Sequence, residues 1–198
     1  PFGEYPGTYG PMRMNPVLEV KAMTHRRNPL YQNAFVAHPD NLLVNGVIRA
    51  TVIEKNVKIA CPTVRRAHMP RAGRFRFMCY VAIEKMIEGE GKQAAMAAFV
   101  TDPHLKYVVV VDHDVDITND TEVLHAIATR VRGDIDIFMV PYAKGSPLDP
   151  ASIDPEGGSH LVTKVGIDAT RKSNYPDEIS VPGSDKINLK DYIENYQP

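Results

Sequence analysis

The sequence has no tryptophan, two cysteines, and no apolar run approaching the roughly 20 residues of a membrane-spanning helix. We therefore expect no integral membrane segment. Cys61 and Cys79 lack the spacing of a metal site and are predicted to be free thiols in a reducing compartment, the cytoplasm. The formal net charge of -1 gives no surplus of either sign, which argues against nucleic acid as a partner.

The first ten residues, PFGEYPGTYG, form the most informative segment. Glu4 lies between Gly3 and Tyr5, in a loop stiffened by Pro6 and Gly7. Such a loop, rich in aromatic rings, can hold a carboxyl group partly out of water and adapt it to general-acid chemistry. The alternative is a surface loop whose glutamate is simply hydrated. Because the chain starts inside this segment and without methionine, we expect it to be part of a longer protein or one of two polypeptides.

Hydrophobic periodicity predicts an α/β fold. Helices are predicted at residues 42–57, 91–99 and 118–131, although the β-branched residues of the first also suit a strand. Strands are predicted at residues 17–25, 31–37, 64–69, 74–84, 107–111, 134–140 and 164–169. The middle of the chain therefore has a β-α-β-α-β order, which requires crossovers and a mostly parallel sheet.

The composition changes beyond residue 141, where Pro, Gly, Ser and Asp become frequent. Apart from the strand at 164–169, this segment is predicted to be irregular. Because it cannot build a core of its own, we expect it to wrap over a neighbouring part of the protein.

Three carboxylates follow the predicted strand 107–111, in the sequence VVVVDHDVDI. Asp112, Asp114 and Asp116 lie at the carboxyl end of a buried strand, where α/β proteins bind ligands. An Asp-x-Asp pair there resembles the metal motif of nucleotide-sugar transferases, and His113 adds a possible ligand. The alternative is that these residues cap the next helix and pair with nearby Arg or Lys.

Two further segments could bind an anion. The loop KGSPLDP at 144–150 has the composition of an anion-binding turn, although such loops are common. Basic residues are also locally enriched, and they could instead pair with acids or lie in solvent: His25, Arg26, Arg27, Arg65, Arg66, His68, Arg71, Arg74 and Arg76.

Motifs along almost the whole chain resemble, in order, those of one family, the UbiD-type carboxy-lyases. PFGEYPGTYG resembles the family segment that carries its catalytic acid. The other matching segments are THRRNPLYQ, EGKQAAMAA, VVVVDHDVDI, HAIATRV, GSPLDP and KVGIDATRK. The chain departs from the usual family pattern at His113 and His125, which replace Asp and a frequent Trp.

The resemblance implies reversible, non-oxidative decarboxylation with prenylated FMN, and it makes Glu4 the proton donor. It implies that the cofactor, Mn2+ and the other catalytic residues bind mainly through an N-terminal portion absent from this chain. It also implies a mostly parallel, Rossmann-like α/β sheet flanked by helices, preceded by strands left over from a split β-barrel. The expected divisions are residues 1–37 (end of the cofactor domain), 38–150 (α/β oligomerisation domain) and 151–198 (C-terminal tail).

The expected partners are an aromatic carboxylic acid, the missing N-terminal portion or a second chain carrying it, and further copies in a dimer or hexamer. The KGSPLDP and KVGIDAT segments favour a hydroxybenzoate-like acid. The alternative function is a catalytically inert oligomerisation module when the chain is separated from its N-terminal part.

Overall fold

A computed structural model describes residues 1–192 of the chain except 13, 156, 178, 180, 184–186 and 189–190. Its helices are α1 (Pro39–Ala60), α2 (Glu90–Thr101) and α3 (Asp120–Arg130). Its strands are β1 (Val64–His68), β2 (Met78–Ile83), β3 (Tyr107–Asp112), β4 (Ile137–Lys144) and β5 (Leu161–Ala169). All three predicted helices are confirmed, including α1, whose β-branched residues had left a strand possible.

The strands form one open sheet in the order β1-β2-β3-β5-β4. The central strands β2, β3 and β5 are parallel, and the edge strands β1 and β4 are antiparallel to their neighbours. The α/β class is confirmed. The strand predicted at 134–140 is nevertheless not the next parallel strand, because β4 is mostly exposed and takes an edge, while the more buried β5 lies beside β3.

Both faces of β3 are buried, as its apolar run predicted. Val108 and Val110 point into a core covered by α1 and α2. Val109 and Val111 point into a second core covered by α3. The period-two alternation of a strand thus divides one run of valines between two layers.

α1 begins at a clear capping signal. The side chain of His38 accepts a hydrogen bond from the backbone N–H of Asp40, and Pro39 occupies the first turn. The buried residues of α1 recur at helical spacing, and they are Gly46, Ala50, Ile53 and Val57. Helical spacing therefore outweighs the strand preference of the β-branched residues.

Three predicted strands need correction. Residues 17–25 and 31–37 form no strand, and nearly all of their side chains are exposed, so the strands expected from a split barrel are not seen. Residues 74–77 belong to a turn because Arg74 and Phe75 have φ values of 56° and 55°, which no strand adopts. The strand predicted at 164–169 is confirmed as β5, which begins at Leu161 and lies inside the sheet.

Cys61 and Cys79 are both buried and free, as predicted. Of the helices in the described residues, none combines the length and apolarity needed to cross a membrane.

The close contact between α1 and the turn at 70–77 yields a stability prediction. A Cβ added at Gly46 would lie 2.8 Å from the Cβ of Phe75, so one of the two segments must move. We expect Gly46→Ala to lower the free energy of unfolding by about 1–2 kcal/mol despite its better helix propensity. Chemical denaturation measures the change. Asn56→Ala, on the exposed face of α1, is the control and should be neutral or slightly stabilising; an equal effect of both variants would contradict this packing.

Candidate active site

Residues 2–10 fold into a compact loop, called here the Glu4 loop. Its backbone is closed by hydrogen bonds from the N–H of Gly10 to the oxygen of Phe2 and from the N–H of Glu4 to the oxygen of Thr8, both 2.9 Å. A third bond of 2.9 Å joins the N–H of Gly7 to the oxygen of Glu4. Both backbone polar groups of Glu4 are thus used within the loop, which leaves its side chain on a fixed backbone.

The Glu4 side chain is half-buried and borders two clefts. The larger cleft has a volume of about 630 Å³, and its other lining groups include residues 33–37, His38 and Arg74. The smaller cleft has a volume of about 320 Å³, and its lining includes Leu148. Within the described residues, the Glu4 carboxylate has no hydrogen bond or ion pair, so it can act on a ligand in either cleft.

Arg74 holds the Glu4 loop against the start of α1. Its Nε donates to the carbonyl oxygen of Pro6 at 3.1 Å, and an Nη donates to that of Ala37 at 3.5 Å. The guanidinium passes so close to Gly7 that a Cβ there would lie 2.0 Å from a nitrogen, and Gly7 also has φ of 89°. Since no carboxylate among the described residues neutralises Arg74, its positive charge remains available at the larger cleft.

Tyr5 anchors the same loop on the sheet. It is buried, and its hydroxyl donates to the Oγ of Ser146 at 3.1 Å. Its ring lies 5.3 Å from that of Phe77, and the guanidinium of Arg76 stacks over it at 4.4 Å. Burial raises the pKa of the Tyr5 phenol, so its hydroxyl remains a donor at neutral pH.

The loop KGSPLDP at 144–150 supplies part of this anchor. Ser146 also accepts the backbone N–H of Leu148 at 3.2 Å. The buried Asp149 pairs with Lys106 at 3.0 Å and accepts the N–H of Ala151 at 3.0 Å, which fixes the loop to the start of β3. The loop at 144–150 is therefore connected to the Glu4 loop through Tyr5. The composition of the loop at 144–150 did not predict this contact.

Asp112 and Asp114, at the end of β3, pair with arginines as the alternative interpretation predicted, but the predicted helix cap is wrong because the N-cap of α3 is Asn119. Arg130 lies 3.0 Å from Asp112 and 3.2 Å from Asp114, and Arg171 lies 2.7 Å from Asp114. Asp116 accepts hydrogen bonds from Thr118 at the turn before α3. The described residues contain no group of three or more His, Cys, Asp or Glu that could hold a metal ion. The metal motif of a nucleotide-sugar transferase is not formed.

The basic residues that are enriched in the sequence lie in different parts of the structure. Arg74 and Arg76 contact the Glu4 loop, whereas Arg65 pairs with Glu84 at the sheet edge. His25, Arg26 and Arg27 lie in an exposed segment. Sequence reasoning grouped these residues by charge and did not find that Arg74 and His38 share a cleft with Glu4.

Comparison with known proteins supplies the family. The model of the 3-octaprenyl-4-hydroxybenzoate carboxy-lyase C-terminal domain matches residues 43–169, and that of the Rift-related domain of the same carboxy-lyase matches residues 1–39. Anhydromevalonate phosphate decarboxylase from Methanothermobacter thermautotrophicus is 41% identical over 170 residues, which are 86% of this chain and 39% of the relative.

Two solved structures share the fold. The UbiD-class enzyme HmfF from Pelotomaculum thermopropionicum, in complex with FMN, superposes with a TM-score of 0.86 and 44% identity over 98% of this chain and 43% of that one. Vanillic acid decarboxylase of Sedimentibacter hydroxybenzoicus, in closed form, superposes with a TM-score of 0.71 and 25% identity. The match covers 94% of this chain and 40% of that one. The chain thus spans about two fifths of the length of these proteins.

The aspartate cluster yields a prediction. Burial of Asp114 raises its pKa, but the hydrogen bond and charge of Arg130, whose side chain is 5% exposed, and the charge of Arg171 together lower it below the usual value. Arg130→Met leaves Asp112 and Asp114 undercompensated, so we expect a loss of about 3 kcal/mol in unfolding free energy at pH 7. A carboxylate whose pKa is lowered in the folded state stabilises the protein at pH values above its unfolded pKa of 3.8. The loss of unfolding free energy in Arg130→Met should therefore shrink as the pH falls below about 4.

The matched control is Arg132→Met, which breaks the exposed pair of Arg132 with Asp134 and should cost less than about 1 kcal/mol. Denaturant titrations between pH 7 and pH 3 make the comparison. A rise of the melting temperature with Mn2+ in the wild type but not in an Asp112→Asn variant would instead indicate a metal site.

Proposed function

Because this chain belongs to the UbiD family of carboxy-lyases, we propose that it is the carboxyl-terminal portion of a reversible, non-oxidative decarboxylase with Glu4 as proton donor. The observation that carries the proposal is the position of Glu4, whose half-buried, unpaired side chain borders two clefts within the described residues. The activity is assigned to the longer protein, because the chain spans about two fifths of its relatives.

In the proposed reaction, the bond between the substrate carbon and its carboxylate breaks, carbon dioxide leaves, and a proton takes its place. Glu4 in its acid form donates that proton, and water restores it. Bound prenylated FMN supplies the electron-accepting chemistry. The residues of this chain orient the acid, since both backbone polar groups of Glu4 are held within its loop. In the reverse direction, the Glu4 carboxylate accepts the proton.

The described residues suit a place beside the cofactor. Residues 33–37 and Thr8 line the larger cleft, and its volume of about 630 Å³ is enough for a flat ring system. FMN and prFMN are present in the solved HmfF structures. The family match and the partial length of the chain support the proposal that Mn2+ and the cofactor bind mainly through the N-terminal portion of the longer protein.

The substrate is proposed to be a conjugated carboxylic acid with a second anionic group. Arg74 and His38 are among the polar side chains that share the larger cleft with Glu4, and the cationic Arg74 suits such a group. Curated relatives at 36–41% identity are named anhydromevalonate phosphate decarboxylases. Decarboxylases of dihydroxybenzoic and vanillic acid are 25–29% identical. The relatives thus favour a phosphorylated acid over the hydroxybenzoate-like acid expected from the sequence.

A second candidate role is assembly. The outward face of α1 carries Val44, Ile48 and Val52, with exposed fractions of 65%, 61% and 48%. Such an apolar face favours contact with another copy or with the rest of the protein. We propose that residues 38–150 form the oligomerisation domain, that 1–37 end the cofactor domain and that 151–198 form a tail. A monomer in light scattering of the complete protein would contradict assembly.

Glu4→Gln tests the proton donor. The amide keeps the shape of the side chain but cannot donate a proton as an acid, so kcat in the complete, flavin-loaded protein should fall by at least about 100-fold. Flavin content and melting temperature should stay at their wild-type values. Glu88→Gln, at an exposed pair with Lys85, is the control and should be fully active. Wild-type turnover by Glu4→Gln would exclude Glu4 as the donor.

His38→Asn tests the anionic subsite. Asn is an equally good helix cap, so α1 should keep its stability while the imidazole is lost from the cleft. We expect KM for a phosphorylated or dicarboxylic acid to rise about 10-fold, with little change in kcat. Steady-state kinetics with a monocarboxylic acid provide the comparison, for which KM should not change. An equal rise in KM for both acids would remove His38 from the subsite.

A further inference from the structure

We infer that Tyr5 is a positioning residue whose anchorage in a socket of Arg76, Phe77 and Ser146 sets the Glu4 carboxyl at the cleft. This inference rests on the proposed role of Glu4. It adds a requirement that the family match does not contain, namely that the loop KGSPLDP, 141 positions along the chain, supports the proton donor.

The adjacent side chains of Glu4 and Tyr5 lie in different environments. Glu4 borders both clefts, whereas Tyr5 is 8% exposed and is absent from the described lining of either one. Any effect of Tyr5 on the reaction must therefore pass through the loop, because its side chain does not line the space that a substrate would occupy.

The socket fixes Tyr5 in direction as well as in place. Ring contacts with Phe77 and Arg76 bury the aromatic body, and the hydrogen bond to Ser146 orients its tip. Ser146 is itself 3% exposed and accepts the N–H of Leu148, so its hydroxyl is held in turn. A buried donor on Tyr5 thus meets a buried, preoriented acceptor.

The loop has few other attachments to the sheet unit. Arg74 holds Pro6 through one hydrogen bond, whereas the chain after the loop, residues 14–34, has exposed side chains throughout. Tyr5 is consequently the buried side chain through which the loop is fixed. Because a catalytic group displaced by about 1 Å can lose roughly 100-fold in rate, the socket is expected to matter for kcat more than for substrate binding.

The experiment uses the complete, flavin-loaded protein and the variants Tyr5→Phe, Ser146→Ala and their combination. Both single changes remove the hydrogen bond between Tyr5 and Ser146, and Ser146→Ala also removes the acceptor of the Leu148 N–H, so kcat should fall about 5-fold in Tyr5→Phe and at least as much in Ser146→Ala, with KM unchanged. The double variant should be no slower than Ser146→Ala alone, since partners in one bond are not additive. Tyr5→Leu, which empties the socket, should lower kcat by about 100-fold. Tyr107→Phe, at a half-exposed tyrosine of β3, is the control and should be fully active.

A comparison of kcat, KM and stability separates positioning from loss of stability. A Glu4 carboxyl displaced from the substrate lowers kcat, while KM, flavin content and melting temperature of Tyr5→Phe stay at their wild-type values. A lower kcat that returns to the wild-type value once it is expressed per folded, flavin-loaded enzyme overturns the inference.

The two proposals fail in different ways. If Glu4→Gln is inactive while Tyr5→Phe and Tyr5→Leu keep wild-type kcat, Tyr5 has no positioning role and Glu4 remains the donor. If Glu4→Gln keeps wild-type turnover, the proton-donor role is excluded, and the positioning role that depends on it is excluded as well.

Discussion

The burial of β3 on both faces is the constraint from which the rest of the fold follows. A strand that is apolar on both sides needs a layer on each, and α1 with α2 supplies one and α3 the other. Its neighbours β2 and β5 run parallel to it, so β2, β3 and β5 begin at the same end of the sheet. The turn at 70–77 joins the antiparallel strands β1 and β2, the loop at 144–150 lies between the antiparallel strands β4 and β5, and both contact the Glu4 loop.

Charged side chains in and after the buried strands are paired with opposite charges or hydrogen-bonded to nearby backbone. Arg130 and Arg171 compensate the aspartates that follow β3. The buried Lys164 of β5 donates to the carbonyl oxygens of Pro103 and Leu105 at 2.9 and 2.6 Å, and burial lowers its pKa. Each group is thus paired or hydrogen-bonded within the fold, and we propose the Glu4 loop, not the aspartate cluster, as the site of chemistry.

Local patterns were sufficient to predict the helices, β3 and the family, because periodicity and collinear motifs are recorded in adjacent residues. They failed where the deciding contact is distant in sequence. The choice of β5 over β4 beside β3 depends on burial, which neither segment reveals alone. The residues at 17–25 alternate as a strand would but lack a pairing partner in the described chain. Glu4 was found from its motif, whereas the Tyr5 socket joins positions 141 apart.

Glu4 is central because an acid on a fixed backbone, at the edge of two clefts and without a partner among the described residues, is available to a substrate. The most direct measurement is a structure of the complete, flavin-loaded protein with a bound substrate analogue. We predict a Glu4 carboxyl oxygen within about 3.5 Å of the carbon that bears the substrate carboxylate. A Glu4 carboxyl directed away from that carbon, with another acid in contact with it, would contradict the account.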